Sequence, residues 1–209
     1  MPLGTWFNGR DYQIAPNSYN PPAMHRLVER IIRFLRLAEV RPHLRPCKAW
    51  VDLGCHETYP LLRENRGLAE RAWGLDLCVK TATDGDIELL TQDITRPLPF
   101  ADGSKDLVTI LAVLEHVLDP QAVLAECRRI LAPGGRLVAT TPTHLGIHTH
   151  AWLIKTGLVK DVRDDEHQDF DVSPALLDAW ARKAGFEVEV ARSFEFGMNA
   201  LLVARRPER

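Results

Sequence analysis

The sequence predicts an α/β protein built on one doubly wound sheet of seven mostly parallel strands with an antiparallel edge. Three observations carry this. Short apolar runs alternate with helix-period segments along most of the chain, the βαβ rhythm of a parallel sheet. Three of those runs end in carboxylates: Asp52 inside Trp50–Thr58, Asp76 closing Trp73–Asp76, and Asp93 after Gln92. A glycine turn follows the first of them, and acidic strand ends downstream of such a turn describe a nucleoside-binding site. Finally, two strand-like runs joined by a tight link close the chain, which places an antiparallel pairing at the sheet edge.

Taken in order, residues 1–20 hold Trp6, Phe7, Tyr12 and Tyr19 among Gly, Asn and Pro. They read as aromatic coil, either draped on the core or serving as a flap over a site. Pro21-Pro22 opens a helix to about Val40. Leu27, Val28, Ile31, Leu35 and Ala38 give it one apolar face. Arg26, Arg30, Arg33 and Arg36 form a second stripe. It reads first as a solvated face, and otherwise as a contact with an anionic surface or a phosphorylated acceptor.

Lys48–Leu53 is the first strand and Tyr59–Gly67 a helix with Pro60 in its first turn. Arg71–Leu75, Ile87–Thr91 and Asp106–Leu111 are the next strands. The last of these is almost continuously apolar, as a parallel strand covered on both faces must be. Arg96–Gly103 is a loop by its proline and glycine content. Asp119-Pro120 opens a helix to about Leu131, Ala132-Pro-Gly-Gly135 stops it, and Arg136–Thr140 is the fifth strand. Ser173-Pro174 starts another helix that Gly185 ends. Phe186–Val190 and Asn199–Arg205 are the closing strands. The stretch 142–172 is polar and irregular apart from Ala151–Leu158, a short apolar run with helical potential. It follows the carboxyl end of a strand, where ligands bind.

With 209 residues and a 45% hydrophobic share, the chain suits one globular unit with a sizeable core. Its formal charge of −2 gives no overall bias toward nucleic acid or membrane, and no apolar run reaches the length of a membrane span. The N-terminus lacks a signal-peptide pattern. Cys47, Cys55, Cys78 and Cys127 form no Cys-x-x-Cys pair, so reduced thiols and a cytoplasmic setting are expected.

The run Thr91-Gln-Asp-Ile-Thr-Arg-Pro-Leu-Pro-Phe-Ala-Asp-Gly-Ser-Lys-Asp-Leu-Val-Thr-Ile-Leu-Ala-Val-Leu-Glu-His-Val117 is long and ordered, and Leu131-Ala-Pro-Gly-Gly-Arg-Leu137 follows it. With the Asp52 turn, these residues resemble the class I methyltransferases that use S-adenosylmethionine, over roughly Lys48–Arg205. The resemblance implies a Rossmann-like domain over 48–209, including the 142–172 insertion, with 1–47 packed on it. It implies that Asp52 and Gly54 lie beside the methionine part of the cofactor. Asp76 would accept the ribose hydroxyls and Leu77 would flank the adenine. Asp93 and Ile94 would lie near the adenine amino group, and Leu111 and Ala112 would line the methyl-donor cleft. The chain departs from the family at the first turn. His56 and Thr58 stand where glycines are usual, and one reconciliation is a shifted turn whose Cys55 and His56 amides face the cofactor. The alternative is a non-catalytic domain with weakened or lost cofactor binding.

Thr141-Pro-Thr143, Asp164-Asp-Glu-His167, Phe170–Pro174, Ala184-Gly-Phe186 and Phe196-Gly-Met-Asn199 resemble methyltransferases of bacterial glycan, lipid-linked and small-metabolite pathways. A small-molecule or glycan-type acceptor follows, methylated on oxygen. His116 and His167 are the candidate bases, since histidine exchanges protons near neutrality. Glu115 reads as a structural acceptor. His144, His148 and His150 have metal-like spacing but fall in what reads as an exposed polar loop, and no metal site is expected. A nicotinamide enzyme fits poorly, because the three-glycine fingerprint is absent. Oligomeric state has no signature in the sequence.

Overall fold

The computed structural model describes residues 23–155 and 172–208. The aromatic segment 1–20, the acidic run Asp161–Asp171 and His167 lie outside the described residues, as do the side chains of Arg26 and His150.

Helix α1 (Ala23–Val40) leads through a 3-10 turn into β1 (Cys47–Leu53). There follow α2 (Pro60–Glu64), β2 (Ala69–Asp76), β3 (Ala82–Asp84), β4 (Ile87–Thr91) and β5 (Lys105–Leu111). Then come α3 (Pro120–Ile130), β6 (Leu131–Pro142), α4 (His144–Lys155), α5 (Pro174–Lys183), β7 (Glu187–Phe194) and β8 (Asn199–Arg205). The sheet order is β3-β4-β2-β1-β5-β6-β8-β7. The pairs β1–β2, β1–β5, β2–β4 and β5–β6 are parallel. The antiparallel pairings sit at the two edges: β3 on β4, and β8 between β6 and β7.

The expected doubly wound plan is therefore present, with one strand more than the seven read from sequence. The additional strand, β3, has three residues, Ala-Thr-Asp, and turns back on β4 through Gly85 at φ 63°. Thr-Asp-Gly-Asp reads as a turn. The segment is a strand because β4 offers it an open edge and because Tyr59 and Arg66 hydrogen-bond the Asp84 carboxylate.

Strand periodicity explains why both sheet faces are covered. Along β1, Val51 and Leu53 join a core that includes Leu124 and Cys127 of α3 and Leu177 and Ala181 of α5. Trp50 joins the opposite core with Leu37 and Val40 of α1 and Leu61 and Leu62 of α2. In β8, Ala200, Leu202 and Ala204 face the first core and Leu201 and Val203 the second. The caps follow ordinary helix chemistry. Asp119 accepts from the Ala122 amide and Ser173 from that of Leu176, each just before a proline at the helix start.

The reading of 142–172 needs correction. The apolar run from Ala151 is helical as far as the described residues go, to Lys155, but α4 already begins at His144, so His144, His148 and His150 lie not in a loop but on a helix. Thr143 starts it. Its hydroxyl donates to the Gly197 carbonyl at 2.6 Å and its amide to the Met198 carbonyl at 2.9 Å. His144 and His148, one turn apart on an exposed face, bring their Nε2 atoms to 2.8 Å.

At the carboxyl end of β1 the chain turns through Gly54 at φ 73°. A Cβ there would lie 2.3 Å from Cγ2 of Val113, so conformation and packing both demand glycine. Gly54→Ala is expected to destabilise the fold by about 2–4 kcal/mol, from left-handed strain plus overpacking, as read by urea unfolding.

Candidate functional site

A cavity of about 840 Å³ opens at the carboxyl ends of β1, β2 and β5, where the strand order reverses. One wall is built from the turns after these strands. Asp52, Gly54, Cys55 and His56 line it from β1, Asp76 and Leu77 from β2, and Leu111 and Ala112 from β5. The rest of the lining comes from α1 and from elements further along the chain: Arg30, Arg33, Arg36, Glu115, His116, Ile147, Glu195, Met198 and Asn199.

Asp76 ties the first wall together. Its Oδ2 accepts the His56 amide at 2.8 Å and its Oδ1 the Cys78 amide at 2.8 Å. Each carboxylate oxygen has a second lone pair, so the group remains able to accept two further hydrogen bonds. His56 keeps a left-handed backbone, φ 64°, in the place where glycine would be unstrained. Its Nδ1 accepts from the Thr58 amide at 3.3 Å and lies 3.1 Å from the Thr58 hydroxyl. The two non-glycine residues thus stabilise each other's side chains across the turn.

Two sets of expected cofactor contacts have protein partners in this structure. The amides of Cys55 and His56 do not face the cavity as donors, because Cys55 donates to the Leu75 carbonyl and His56 to Asp76. Asp93 and Ile94 do not line the cavity. Asp93 accepts from the Thr95 amide at 2.9 Å and hydroxyl at 2.6 Å, with Arg96 at 3.4 Å, and Ile94 is buried in the core.

Behind the first wall, Asp52 is buried and accepts from the Thr109 hydroxyl at 2.6 Å. That hydroxyl in turn accepts from the Trp50 indole at 2.9 Å. Burial pushes the Asp52 carboxyl up to about 7, opposed by the Thr109 bond and reinforced by Asp76. Among the other lining residues, Glu115 is also buried. Burial raises it to about 7 despite Arg36 and a 3.0 Å bond from the Thr141 hydroxyl. His116 Nε2 stands 3.8 Å from Glu115 Oε1. Glu195 is likewise raised by burial, against the field of Arg36 and a hydrogen bond from Asn199.

Glu195 and Asn199 were not singled out as site residues from sequence, although Phe196-Gly-Met-Asn199 stood out as a motif. The β7–β8 link carries three consecutive left-handed residues, Glu195, Phe196 and Gly197, at φ 51°, 56° and 88°. This link turns Glu195 into the cavity and leaves Phe196 98% exposed. Arg36 was read as solvated, but the structure buries its Nε with no hydrogen-bond partner. Among the described residues, no group of three or more His, Cys, Asp or Glu is placed to hold a metal ion, and no helix is long and apolar enough to cross a membrane.

Comparisons with known proteins agree with this geometry. A family model described as a methyltransferase domain matches residues 51–139. The ubiquinone biosynthesis O-methyltransferase of Xanthomonas axonopodis pv. citri is 33% identical over 175 residues, covering 74% of this chain and 70% of that protein. For its counterpart in Xanthomonas euvesicatoria pv. vesicatoria the match is 35% over 96 residues, so the chain spans only 37% of that relative's length. A solved S-adenosylmethionine-dependent methyltransferase from Mesorhizobium loti aligns at a TM-score of 0.63 with 19% identity, over 82% of this chain and 98% of that one, which speaks to fold alone.

Two outcomes follow from the strained and buried groups. Asp52 is raised in the folded state, so stability is lost as pH climbs from its unfolded value toward 7. Asp52→Asn removes that loss. Between pH 5 and 8 the variant should gain roughly 2–3 kcal/mol on the parent, and unfolding curves with no such relative gain would show that Asp52 is not raised. His56→Gly relieves the left-handed strain, of roughly 1–2 kcal/mol, against the entropic cost of a glycine, roughly 0.5–1 kcal/mol. Its melting temperature should be unchanged or higher, and a clear fall would mean that the ring's bond to Thr58 outweighs the strain.

Proposed function

The chain belongs to the class I S-adenosylmethionine-dependent methyltransferases, and from that premise we propose that it methylates an oxygen of a small-molecule or glycan-type acceptor. The observation that carries the cofactor half is Asp76. It sits at a strand's carboxyl end with two hydrogen bonds already fixing its orientation and two acceptor sites left for vicinal ribose hydroxyls. The residues fit the cofactor in other respects as well. Leu77 and Leu111 give the wall apolar surface, Gly54 keeps the turn close to β5, and about 840 Å³ holds a nucleoside and an acceptor together.

When bound, S-adenosylmethionine supplies a methyl group on a sulfonium, already activated for in-line displacement. The protein's tasks are alignment, exclusion of water and removal of one proton. His116 is the proposed base. It lines the cavity, and its Nε2 stands 3.8 Å from the Glu115 carboxyl. His167, the other candidate, lies outside the described residues. The acceptor chemistry proposed here follows the O-methyltransferase relatives in kind only. The non-catalytic alternative draws on His56 and Thr58, both of which line the cavity in place of glycines.

Calorimetric titration with S-adenosylhomocysteine decides between the two. Binding by the parent and a loss of roughly 1–3 kcal/mol in Asp76→Ala is the expected result. No binding by the parent at millimolar ligand would favour the non-catalytic domain. Unchanged affinity in the variant would remove Asp76 from the site.

A further inference from the structure

We propose that the α1 wall of the cavity is an anion-recognition subsite, in which Arg30, Arg33 and Arg36 grip a phosphate or carboxylate carried by the acceptor. This rests on the methyl-transfer reading for the role of the bound molecule, but the subsite stands on its own geometry. The three arginines recur at steps of three along one helix, so their side chains share one face over two turns. All three line the cavity. Asp52 and Asp76 line the same cavity at the strand ends, and Glu115 and Glu195 stand near enough to Arg36 to feel its charge.

Among the described residues, no salt bridge or hydrogen bond joins Arg30, Arg33 or Arg36 to a carboxylate. Glu39, the acidic residue further along α1, pairs with Arg192 instead. Arg36 feels Glu115 and Glu195 electrostatically, yet its Nε is buried without a hydrogen-bond partner. A buried guanidinium donor without an acceptor is costly, and an oxyanion in the cavity would satisfy it. Glu115 and Glu195 offset this charge only in part, because burial favours their neutral forms. The planar fork of arginine matches a phosphate or carboxylate with two parallel hydrogen bonds, which a lysine would not provide. Ile147 and Met198, which also line the cavity, leave apolar surface for the body of the ligand. An acceptor with an anionic handle and a hydroxyl would thus be anchored by α1 while its oxygen reached toward His116.

The test uses three fluorescent probes of one shape: 1-naphthyl phosphate, 1-naphthoate and the neutral 1-naphthamide. Each is titrated into the full chain with and without S-adenosylhomocysteine. At least one anion should bind tenfold or more tightly than the amide, and the preferred anion names the group. In the Arg30→Gln/Arg33→Gln double variant, affinity for that anion should fall at least tenfold while affinities for naphthamide and S-adenosylhomocysteine stay put. Arg36→Gln should act in the same direction. If it does not fold, the double variant still decides, since Arg30 and Arg33 are exposed. Equal binding of anion and amide, or anion affinity indifferent to the arginines, would overturn the subsite. Failure of the parent to bind S-adenosylhomocysteine would count against methyl transfer and leave the anion result to be judged separately.

Discussion

The site depends on one carboxylate before any ligand arrives. Asp76 closes a ring of interactions in which the end of β2 holds the turn after β1 through the His56 amide and its own exit through the Cys78 amide. An acidic residue whose orientation is set by backbone donors needs no rearrangement to meet a diol, so little ordering remains to be done on binding. The same two bonds explain how histidine can occupy a glycine position. The left-handed conformation of His56 is imposed by its amide's attachment to Asp76 and by Gly54 two residues earlier. The ring, turned to Thr58, is carried along.

The second constraint is electrostatic. Three buried or half-buried carboxyls, Asp52, Glu115 and Glu195, surround a space that a sulfonium would enter, and burial pushes all of them toward neutrality. A cationic ligand would pull them back toward ionisation, because opposite charge favours the charged form. Cofactor binding and proton release are therefore expected to be linked. Arg36 of α1 acts in the same direction, as it already lowers both Glu115 and Glu195.

Much of the fold was legible because it is written in periodicities. The apolar runs of β1, β5 and β8 and the Asp119-Pro and Ser173-Pro helix starts are local signals with local causes. What sequence missed depends on neighbours. β3 is a strand only because β4 leaves an edge open, and α4 begins early because Thr143 finds the carbonyls of the β7–β8 link. In the cavity, the turn residues after β1 and β2 were legible from spacing, whereas Asp93 was displaced by a bond to its own near neighbour Thr95. Arg36 and Glu195 were hidden for a further reason: a charged residue on a helix stripe or in a tight link looks solvated until a distant element covers it.

The position of β8 has a consequence for how the molecule is made. β8, which follows β7 in sequence, is not at the rim but lies between β6 and β7, hydrogen-bonded on both sides. During synthesis, β7 emerges with no partner, and β6 presents a bare edge, until β8 has left the ribosome. Until then, β6 and β7 are open to intermolecular strand pairing. Insertion of β8 seals both edges in one event. It also brings Asn199 and Met198 to the cavity, so the lining is completed only when β8 is in place. A nascent chain stalled short of Arg205 would therefore be at once adhesive and without a finished site.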